Sequence, residues 1–136
     1  MGWVRRAGIL LTVLVVALGL GGATAGAKKH KKKGKAWASQ VTLTHPQTNQ
    51  FAGQVTSKLG ACEGSRVVTL FYTDPNTGQT SPLSVQRTDG NGKYQVVLPK
   101  DAFFGSYQVQ VAQRKIRARK APQTCKGAES TATDVH

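Results

Sequence analysis

The stretch Gly105-Ser106-Tyr107-Gln108-Val109-Gln110-Val111 decides the fold class of this chain. Polar and apolar side chains alternate along it, and this period of two is typical of a β-strand that buries one face. We therefore expect Tyr107, Val109 and Val111 to point into a core. No segment shows convincing helical periodicity, and there is no internal repeat. The domain is predicted to be all-β.

Six other segments have the character of strands, and turn residues separate them. They are Val41–Leu43, Phe51–Val55, Val67–Tyr72, Leu83–Arg87, Tyr94–Leu98 and Ser130–Val135. His45-Pro46 is expected to end the first strand. Asp74–Gly78 and Thr88–Gly92 are rich in the residues of tight turns. Seven short strands at regular spacing predict a β-sandwich.

Cys62 and Cys125 are the only cysteines of the chain. In an exported protein, an even pair without metal-ligand neighbours most often forms one disulfide. The closed loop spans roughly 63 residues, which corresponds to about 4 kcal/mol in the chain-entropy description of disulfides. Two free thiols are the alternative. A zinc site is not expected, because the chain has no C-x-x-C or H-x-x-x-H spacing.

Residues 1–27 have the three parts of a secretory signal peptide. Arg5 and Arg6 precede an apolar stretch at Ile9–Leu20, and small residues follow, ending in Ala25-Gly26-Ala27. Cleavage is expected after Ala27 or, at a second small-x-small site, after Ala25. The chain is therefore predicted to be secreted, either extracellular or associated with the cell envelope.

An uncleaved membrane anchor is the alternative for the N-terminal segment. Ala7–Ala27 contains 21 residues without a charge, about the length that spans a bilayer. By the positive-inside rule, the lysines that follow would keep the domain in the cytoplasm, where its disulfide would not persist. This conflict favours a cleaved signal peptide, although six lysines directly after one are unusual.

The formal net charge of +13 is concentrated in two runs. They comprise Lys28, Lys29, Lys31, Lys32, Lys33 and Lys35, and then Arg114, Lys115, Arg117, Arg119 and Lys120. Outside these runs and the N-terminal arginines, six basic residues balance six acidic ones. The first run has no apolar residue to bury and is predicted to be disordered. The expected organisation is a signal peptide at 1–27, a disordered lysine-rich arm at 28–38 and a β-sandwich domain at 39–136.

Several of these segments together resemble the motif of a known family. The stretch Thr88-Asp89-Gly90-Asn91-Gly92-Lys93-Tyr94, then Leu98-Pro99, then residues 105–111, is similar to the T-D-x-x-G-x-Y, L-P and G-x-Y-x-V-x-V pattern of transthyretin-like sandwiches. These include carboxypeptidase regulatory-like domains and the B-type repeats of bacterial collagen adhesins. Phe51–Val55 resembles their early G-x-V strand. The two cysteines resemble those of small secreted versions found in actinobacteria.

The resemblance implies a seven-stranded Ig-like or transthyretin-like sandwich. It also implies a noncatalytic module that supports, spaces or binds at the cell exterior, because the motif encodes turns and a buried tyrosine rather than reaction chemistry. Adhesin repeats of this family use an asparagine on the last strand for an internal Lys-Asn cross-link. This chain has no asparagine after Asn91, so that cross-link is not expected.

No catalytic residue, metal site or cofactor is expected from the sequence. His30, His45 and His136 have no plausible partners in the chain, and the G-x-S-x-G, H-E-x-x-H and phosphate-loop motifs are missing. The six acidic residues are scattered, mostly at turns. A calcium loop at Asp89–Gly92 would need six to eight oxygen ligands, and turn chemistry already explains these residues.

The sequence leads to three functional hypotheses. The first is a noncatalytic module that both basic runs attach to anionic envelope polymers or lipid headgroups, with about 1 kcal/mol per lysine near a negative surface. The second is an accessory or inhibitor-like module that binds a protein partner through strand edges or the Phe103-Phe104 turn. The third is a cationic membrane-active or nucleic-acid-binding protein, although no base-reading motif accompanies the lysines. For either run, a solvated tail without a partner is the alternative, and the oligomeric state is not indicated.

Overall fold

A computed structural model of the chain describes residues 33–136. The predicted signal peptide at 1–27 and the first part of the lysine arm, 28–32, lie outside the described residues. Within residues 33–136, no helix has the length and apolar character needed to cross a bilayer. Regular structure in this part is β-strand, with one short 3-10 turn at Gly60–Cys62.

Twelve short strands make up the described part of the chain. They are β1 (Ala36–Trp37), β2 (Ser39–Val41), β3 (Thr44–Gln47), β4 (Gln50–Ser57), β5 (Val67–Thr73), β6 (Thr80–Arg87), β7 (Lys93–Val97), β8 (Gly105–Val111), β9 (Arg114–Ile116), β10 (Gln123–Cys125), β11 (Ala128–Glu129) and β12 (Thr133–Val135). The all-β prediction is confirmed, but the structure has more strands than the expected seven. The additional ones, β1, β3, β9, β10 and β11, have only two to four residues each. Strands this short show no period of two in a sequence.

The strands form three sheets that give a sandwich-like fold. One sheet has the order β11-β8-β5-β6, and β12 also pairs with β8. A second has the order β2-β4-β3, and β7 also pairs with β4. The third, smaller sheet has the order β1-β10-β9. Every pairing is antiparallel except that of β1 with β10, which is parallel.

The two larger sheets bury a common apolar core. It consists of Val41, Leu43, Phe51, Val55, Val68, Leu70, Tyr94, Val96, Tyr107, Val109 and Val111. Tyr107, Val109 and Val111 of β8 are 0%, 0% and 3% exposed, which confirms the inward face predicted from the alternation. Each buried valine or leucine contributes about 1.5–3 kcal/mol of transfer free energy. The inward side chains of β8 therefore help to stabilise the core.

The first predicted strand ends earlier than expected, because β2 ends at Val41, and His45-Pro46 lies inside a separate strand, β3, rather than at a strand end. Thr44 pairs with Ala52, and the register shifts before Gln47. β3 pairs only with β4 and is an edge strand, where the missing N–H of proline costs no ladder bond. The expected strand end is therefore wrong, and the proline marks a shift of register instead.

Cys62 and Cys125 form the predicted disulfide. Their Cα atoms lie 5.3 Å apart, and both residues are fully buried. Cys62 ends the short 3-10 turn before β5, and Cys125 ends β10. The bond thus ties the three-stranded sheet to the body of the domain. A structural disulfide is typical of proteins outside the cytosol.

Candidate polyanion-binding site

The three-stranded sheet brings the second basic run close to the described end of the first run, Lys33 and Lys35. Trp37 lies opposite Cys125, and Cys125 lies opposite Arg114. Neighbouring strands are about 4.8 Å apart, so β1 and β9 lie about 10 Å apart. The first run ends at Lys35, directly before β1, and the second begins at Arg114, the first residue of β9. Two segments far apart in the sequence therefore meet on one sheet.

The last residues of the lysine arm belong to the folded domain. The backbone N–H of Thr124 donates to the carbonyl of Lys35 at 2.9 Å. Gly34 passes so close to the loop before β10 that a Cβ there would lie 2.0 Å from the carbonyl oxygen of Pro122. The sequence analysis placed the boundary of the arm at residue 38. The fold begins earlier because backbone pairing requires no apolar side chain.

Most of the described cations of the two runs are exposed around this sheet. They are Lys33, Lys35, Lys115, Arg117, Arg119 and Lys120. The chain has no acidic residue before Glu63 and none between Asp101 and Glu129, so β1, β9 and β10 carry no carboxylate. The sheet and its flanking loops concentrate positive charge. The remaining expected site residues, Lys28, Lys29, Lys31 and Lys32, lie outside the described residues.

Arg114 differs from the other cations of the second run. Arg114 is paired directly with buried Cys125, so the two side chains lie on the same face of the sheet. The side chain of Lys115, the next residue, points to the other face. Its Nη1 donates to the carbonyl of Gly64 at 2.6 Å, and its side chain is half-buried. Arg114 therefore fixes β9 to the loop before β5, while Lys115 faces solvent.

Arg66 is a fully buried cation beside the disulfide, and the sequence analysis did not single it out. Its Nη1 donates to the carbonyl of Cys62 at 2.6 Å and to Oγ of Ser39 at 2.9 Å. Its Nη2 donates to the carbonyls of Ala112 at 2.9 Å and Lys126 at 2.8 Å. One guanidinium thus joins four segments of the chain.

The acceptors of Arg66 are a hydroxyl and backbone carbonyls rather than a carboxylate. Burial and, to a smaller extent, the charge of Arg114 lower the pKa of Arg66 from its usual value. A guanidinium titrates so far above neutral pH that it remains charged in the fold. A lone arginine in a nearly neutral stretch carries no pattern that could have revealed this role.

Trp37 is the second residue near the site that the sequence analysis missed. Its half-buried indole donates from Nε1 to Oε1 of Gln123 at 2.6 Å. The ammonium of Lys35 lies 3.9 Å from the centre of the indole ring, which is a cation–π contact. A lysine and a tryptophan two residues apart share one face of an extended chain. The K-x-W spacing at the end of the lysine run is the signal that could have found this pair.

The Phe103-Phe104 turn holds two aromatic rings in solvent. Phe103 and Phe104 are 62% and 61% exposed. The hydroxyls of Tyr107 and Tyr72 donate to their respective carbonyls, each at 2.9 Å. A cavity of about 210 Å³ beside Phe104 is lined in part by Pro75. The backbone of the turn is anchored by these hydrogen bonds, while its side chains project outward.

In the turn considered for calcium, the carboxylate of Asp89 accepts hydrogen bonds from the backbone of the same turn. Oδ1 of Asp89 accepts from the N–H groups of Asn91 at 2.8 Å and Lys93 at 2.9 Å. Gly92 has a φ of +80°, which glycine adopts without steric cost. In the part of the chain that the structure describes, no cluster of three His, Cys, Asp or Glu residues could hold a metal ion. The carboxylate of Asp89 therefore serves the turn.

No protein-family model matches this chain, and no curated protein sequence matches it. Among solved structures, a similar one is described as the crystal structure of a tetra-tandem repeat in the extending region of a large adhesion protein. The two chains are 18% identical, with a TM-score of 0.37, and the alignment covers 72% of this chain and 24% of that chain. This chain thus spans about a quarter of the length of the adhesion-protein structure. A similarity this distant says nothing about a ligand or partner.

Proposed function

We propose that this chain is a secreted, noncatalytic module of transthyretin-like type that attaches electrostatically to anionic polymers or lipid headgroups of the cell envelope. The meeting of the second basic run with the described end of the first run, Lys33 and Lys35, at the β1-β10-β9 sheet carries this proposal. No carboxylate on these strands competes for the cations. A concentrated field of one sign attracts an external polyanion more strongly than the same charges dispersed over the surface.

Several weak attractions acting together suit attachment to a surface. A cation near an anionic membrane surface contributes about 1 kcal/mol, so a single exposed lysine would hold the protein poorly. Six described cations of the two runs are exposed around one sheet, and their contributions combine when the partner is extended. Such attachment weakens with salt, because the Debye length falls to about 3 Å at 1 M ionic strength. The buried disulfide supports a setting outside the cytosol.

The test compares two variants that lose the same charge at different places. The site variant combines Lys115→Gln, Arg117→Gln and Arg119→Gln. The control combines Arg87→Gln, Lys93→Gln and Lys100→Gln, which are exposed cations outside the two runs. Binding to purified cell envelope is measured at low and high salt.

We expect the site variant to bind more weakly at low salt and the control to bind like the wild type. Equal losses would show that only the net charge matters and that the sheet is not the site. Wild-type binding that does not depend on salt would contradict electrostatic attachment altogether.

A second candidate function is binding of a protein partner through the Phe103-Phe104 turn. The observation that favours it is the exposure of both rings on a hydrogen-bonded turn, since exposed aromatic side chains are frequent anchors at interfaces. In this case, Phe103→Ser with Phe104→Ser abolishes a salt-insensitive interaction and leaves envelope binding unchanged. Capture of the same partners by this double variant and by the wild type would exclude the turn as the interface.

A further inference from the structure

A cavity of about 540 Å³ lies between β1 and the β2–β4 strand pair. Its lining includes Lys35 and Trp37 on one side and Gln40, Thr56 and Lys58 on the other. Gln40 and Thr56 are directly opposite each other in the pairing of β2 with β4, so their side chains project from the same face. Both are exposed. The residues that line the cavity are basic or neutral.

The lining combines cationic, aromatic and hydrogen-bonding side chains, and one class of ligand can contact all three. The ammonium groups of Lys35 and Lys58 attract an anion. The face of the Trp37 indole carries the negative part of its quadrupole, which favours contact with the weakly positive C–H groups of a sugar ring. The amide of Gln40 and the hydroxyl of Thr56 donate and accept hydrogen bonds, as sugar hydroxyls require. A phosphate chain would use only the ammonium groups.

Trp37 is held in place on several sides. Its Nε1 donates a hydrogen bond to the amide oxygen of Gln123. Its backbone carbonyl accepts one from the N–H of Lys126 at 2.8 Å. In the sheet it lies opposite Cys125, which the disulfide anchors. An indole fixed before binding loses little conformational entropy when a ligand arrives.

We infer that this cavity binds one acidic sugar unit of an anionic polysaccharide. On binding, the flexible Lys35 side chain moves its ammonium from the indole face, where it lies 3.9 Å from the ring centre, to the carboxylate or sulfate that the sugar carries. Lys58 binds the same acidic group, and Trp37 packs against the sugar ring in place of the ammonium. The inference rests on the proposed attachment to anionic polymers and narrows it to acidic polysaccharides. The exposed cations of the β1-β10-β9 sheet then bind neighbouring charges of the same polymer.

The test uses three polymers at equal concentrations of charge: polygalacturonate, dextran sulfate and polyphosphate. The first two carry sugar rings with carboxylate or sulfate groups, and the third has no sugar. We expect Trp37→Ala to weaken binding to both sugar polymers about tenfold and to leave polyphosphate binding within about twofold. Trp37→Phe keeps an aromatic face and retains most of the affinity. Arg87→Gln, which removes an exposed charge that does not line this cavity, is the matched control.

Fluorescence provides a readout that does not depend on the folding of a Trp37 variant. The chain has two tryptophans, Trp3 and Trp37. Trp3 lies in the predicted signal peptide, so all indole emission comes from Trp37 in the cleaved protein, and also in the full chain that carries Trp3→Phe. We expect trigalacturonate to change this emission in a saturable manner, and to a larger extent than triphosphate at the same ionic strength, which reaches the ring only through the Lys35 ammonium. Unfolding profiles of each variant show whether the domain remains intact.

The possible outcomes separate this inference from the proposed function. If Trp37→Ala weakens the binding of polyphosphate as much as that of the sugar polymers, or if trigalacturonate leaves the emission unchanged, the sugar site is wrong while electrostatic attachment stands. A requirement for sulfate, with no binding of polygalacturonate, would restrict the site to sulfated sugars and confirm it in that form. If the wild type binds none of the three polymers, the proposed function and the sugar site both fail.

Discussion

Trp37 lies directly opposite Cys125 in the parallel pairing of β1 with β10. Cys125 is bonded to Cys62, and Arg66 donates to the carbonyl of Cys62 and to that of Lys126, the residue after Cys125. The disulfide and the buried arginine therefore join the same two segments. Together they support the sheet on which the second basic run meets Lys33 and Lys35, the described end of the first run.

We expect loss of the disulfide to destabilise the domain strongly. The bond closes a loop with a sequence separation of 63 residues, so Cys62→Ala with Cys125→Ala should lower the free energy of unfolding by about 4 kcal/mol. Alanine is chosen because serine would bury an unpaired hydroxyl. Urea unfolding of the double variant measures the loss. A change below about 1 kcal/mol would show that the core and Arg66 hold the sheet without the bond.

Replacement of Arg66 should lower the free energy of unfolding by more than the loss of its charge alone suggests. Arg66→Met leaves the carbonyls of Cys62, Ala112 and Lys126 without these donors, so we expect a loss of more than about 3 kcal/mol. The control is Arg87→Met, because the side chain of Arg87 is exposed and makes one long contact of 3.5 Å. Its effect should stay within about 0.5 kcal/mol. Similar unfolding midpoints for the two variants would contradict the structural role of Arg66.

Glycine is required at position 53 because the backbone there passes close to Tyr94. A Cβ at residue 53 would lie 2.4 Å from the hydroxyl of Tyr94 and 1.9 Å from the carbonyl oxygen of Thr42, so Gly53→Ala must displace both groups or its own backbone. We expect a loss of about 2 kcal/mol or more in thermal or urea unfolding. At Gly60 an added Cβ meets no atom within 4 Å. Gly60→Ala is therefore the control, and equal stability of the two variants would refute the crowding.

Stability should fall in alkaline solution because of the buried tyrosines. Burial raises the pKa of Tyr94 and also that of Tyr107 above the ordinary value. The unfolded chain loses these phenolic protons near pH 10, whereas the folded chain retains them. Each contribution to stability is therefore full below about pH 10 and is lost as the pH rises further.

Tyr94→Phe isolates this alkaline effect from the titration of the lysines, which the wild type and the variant share. The hydroxyl of Tyr94 donates to the carbonyl of Thr42, so the wild type should be more stable at neutral pH by about 1 kcal/mol. We expect this advantage to shrink between about pH 10 and pH 11. The measurement is the urea midpoint of both proteins across this range. An advantage that remains constant up to pH 11 would rule out the linkage.

Deletion of residues 28–33 should separate binding from folding. These residues precede Lys35, whose carbonyl accepts from Thr124, so the free energy of unfolding should change by less than about 0.5 kcal/mol. Envelope binding should weaken strongly at 0.01 M salt and little at 1 M, because the Debye length falls from about 30 Å to about 3 Å. A longer deletion through Trp37 removes β1 and should also destabilise the domain. Unchanged binding of the shorter deletion at low salt would exclude a role for the arm.

Strands and core positions could be predicted where polar and apolar residues alternate within one segment. The alternation of β8 identifies Tyr107, Val109 and Val111 as buried, because side chains two residues apart share one face of a strand. The disulfide was predicted from the presence of two cysteines in a chain with a predicted export signal. Shorter strands escaped prediction, since the two residues of β1 cannot display a period.

The sequence by itself determined the fold class, the buried face of β8, the disulfide and the two basic runs, because each depends on residue type or spacing within one segment. Only the tertiary structure decided that the second run meets the described end of the first run on one sheet and that Trp37 lies beside them, since Trp37 and its partner Gln123 are 86 residues apart. It also decided the burial of Arg66, whose backbone acceptors come from separate segments. Carbonyl groups are identical at every position of a sequence, so only the folded chain shows which of them surround a charge.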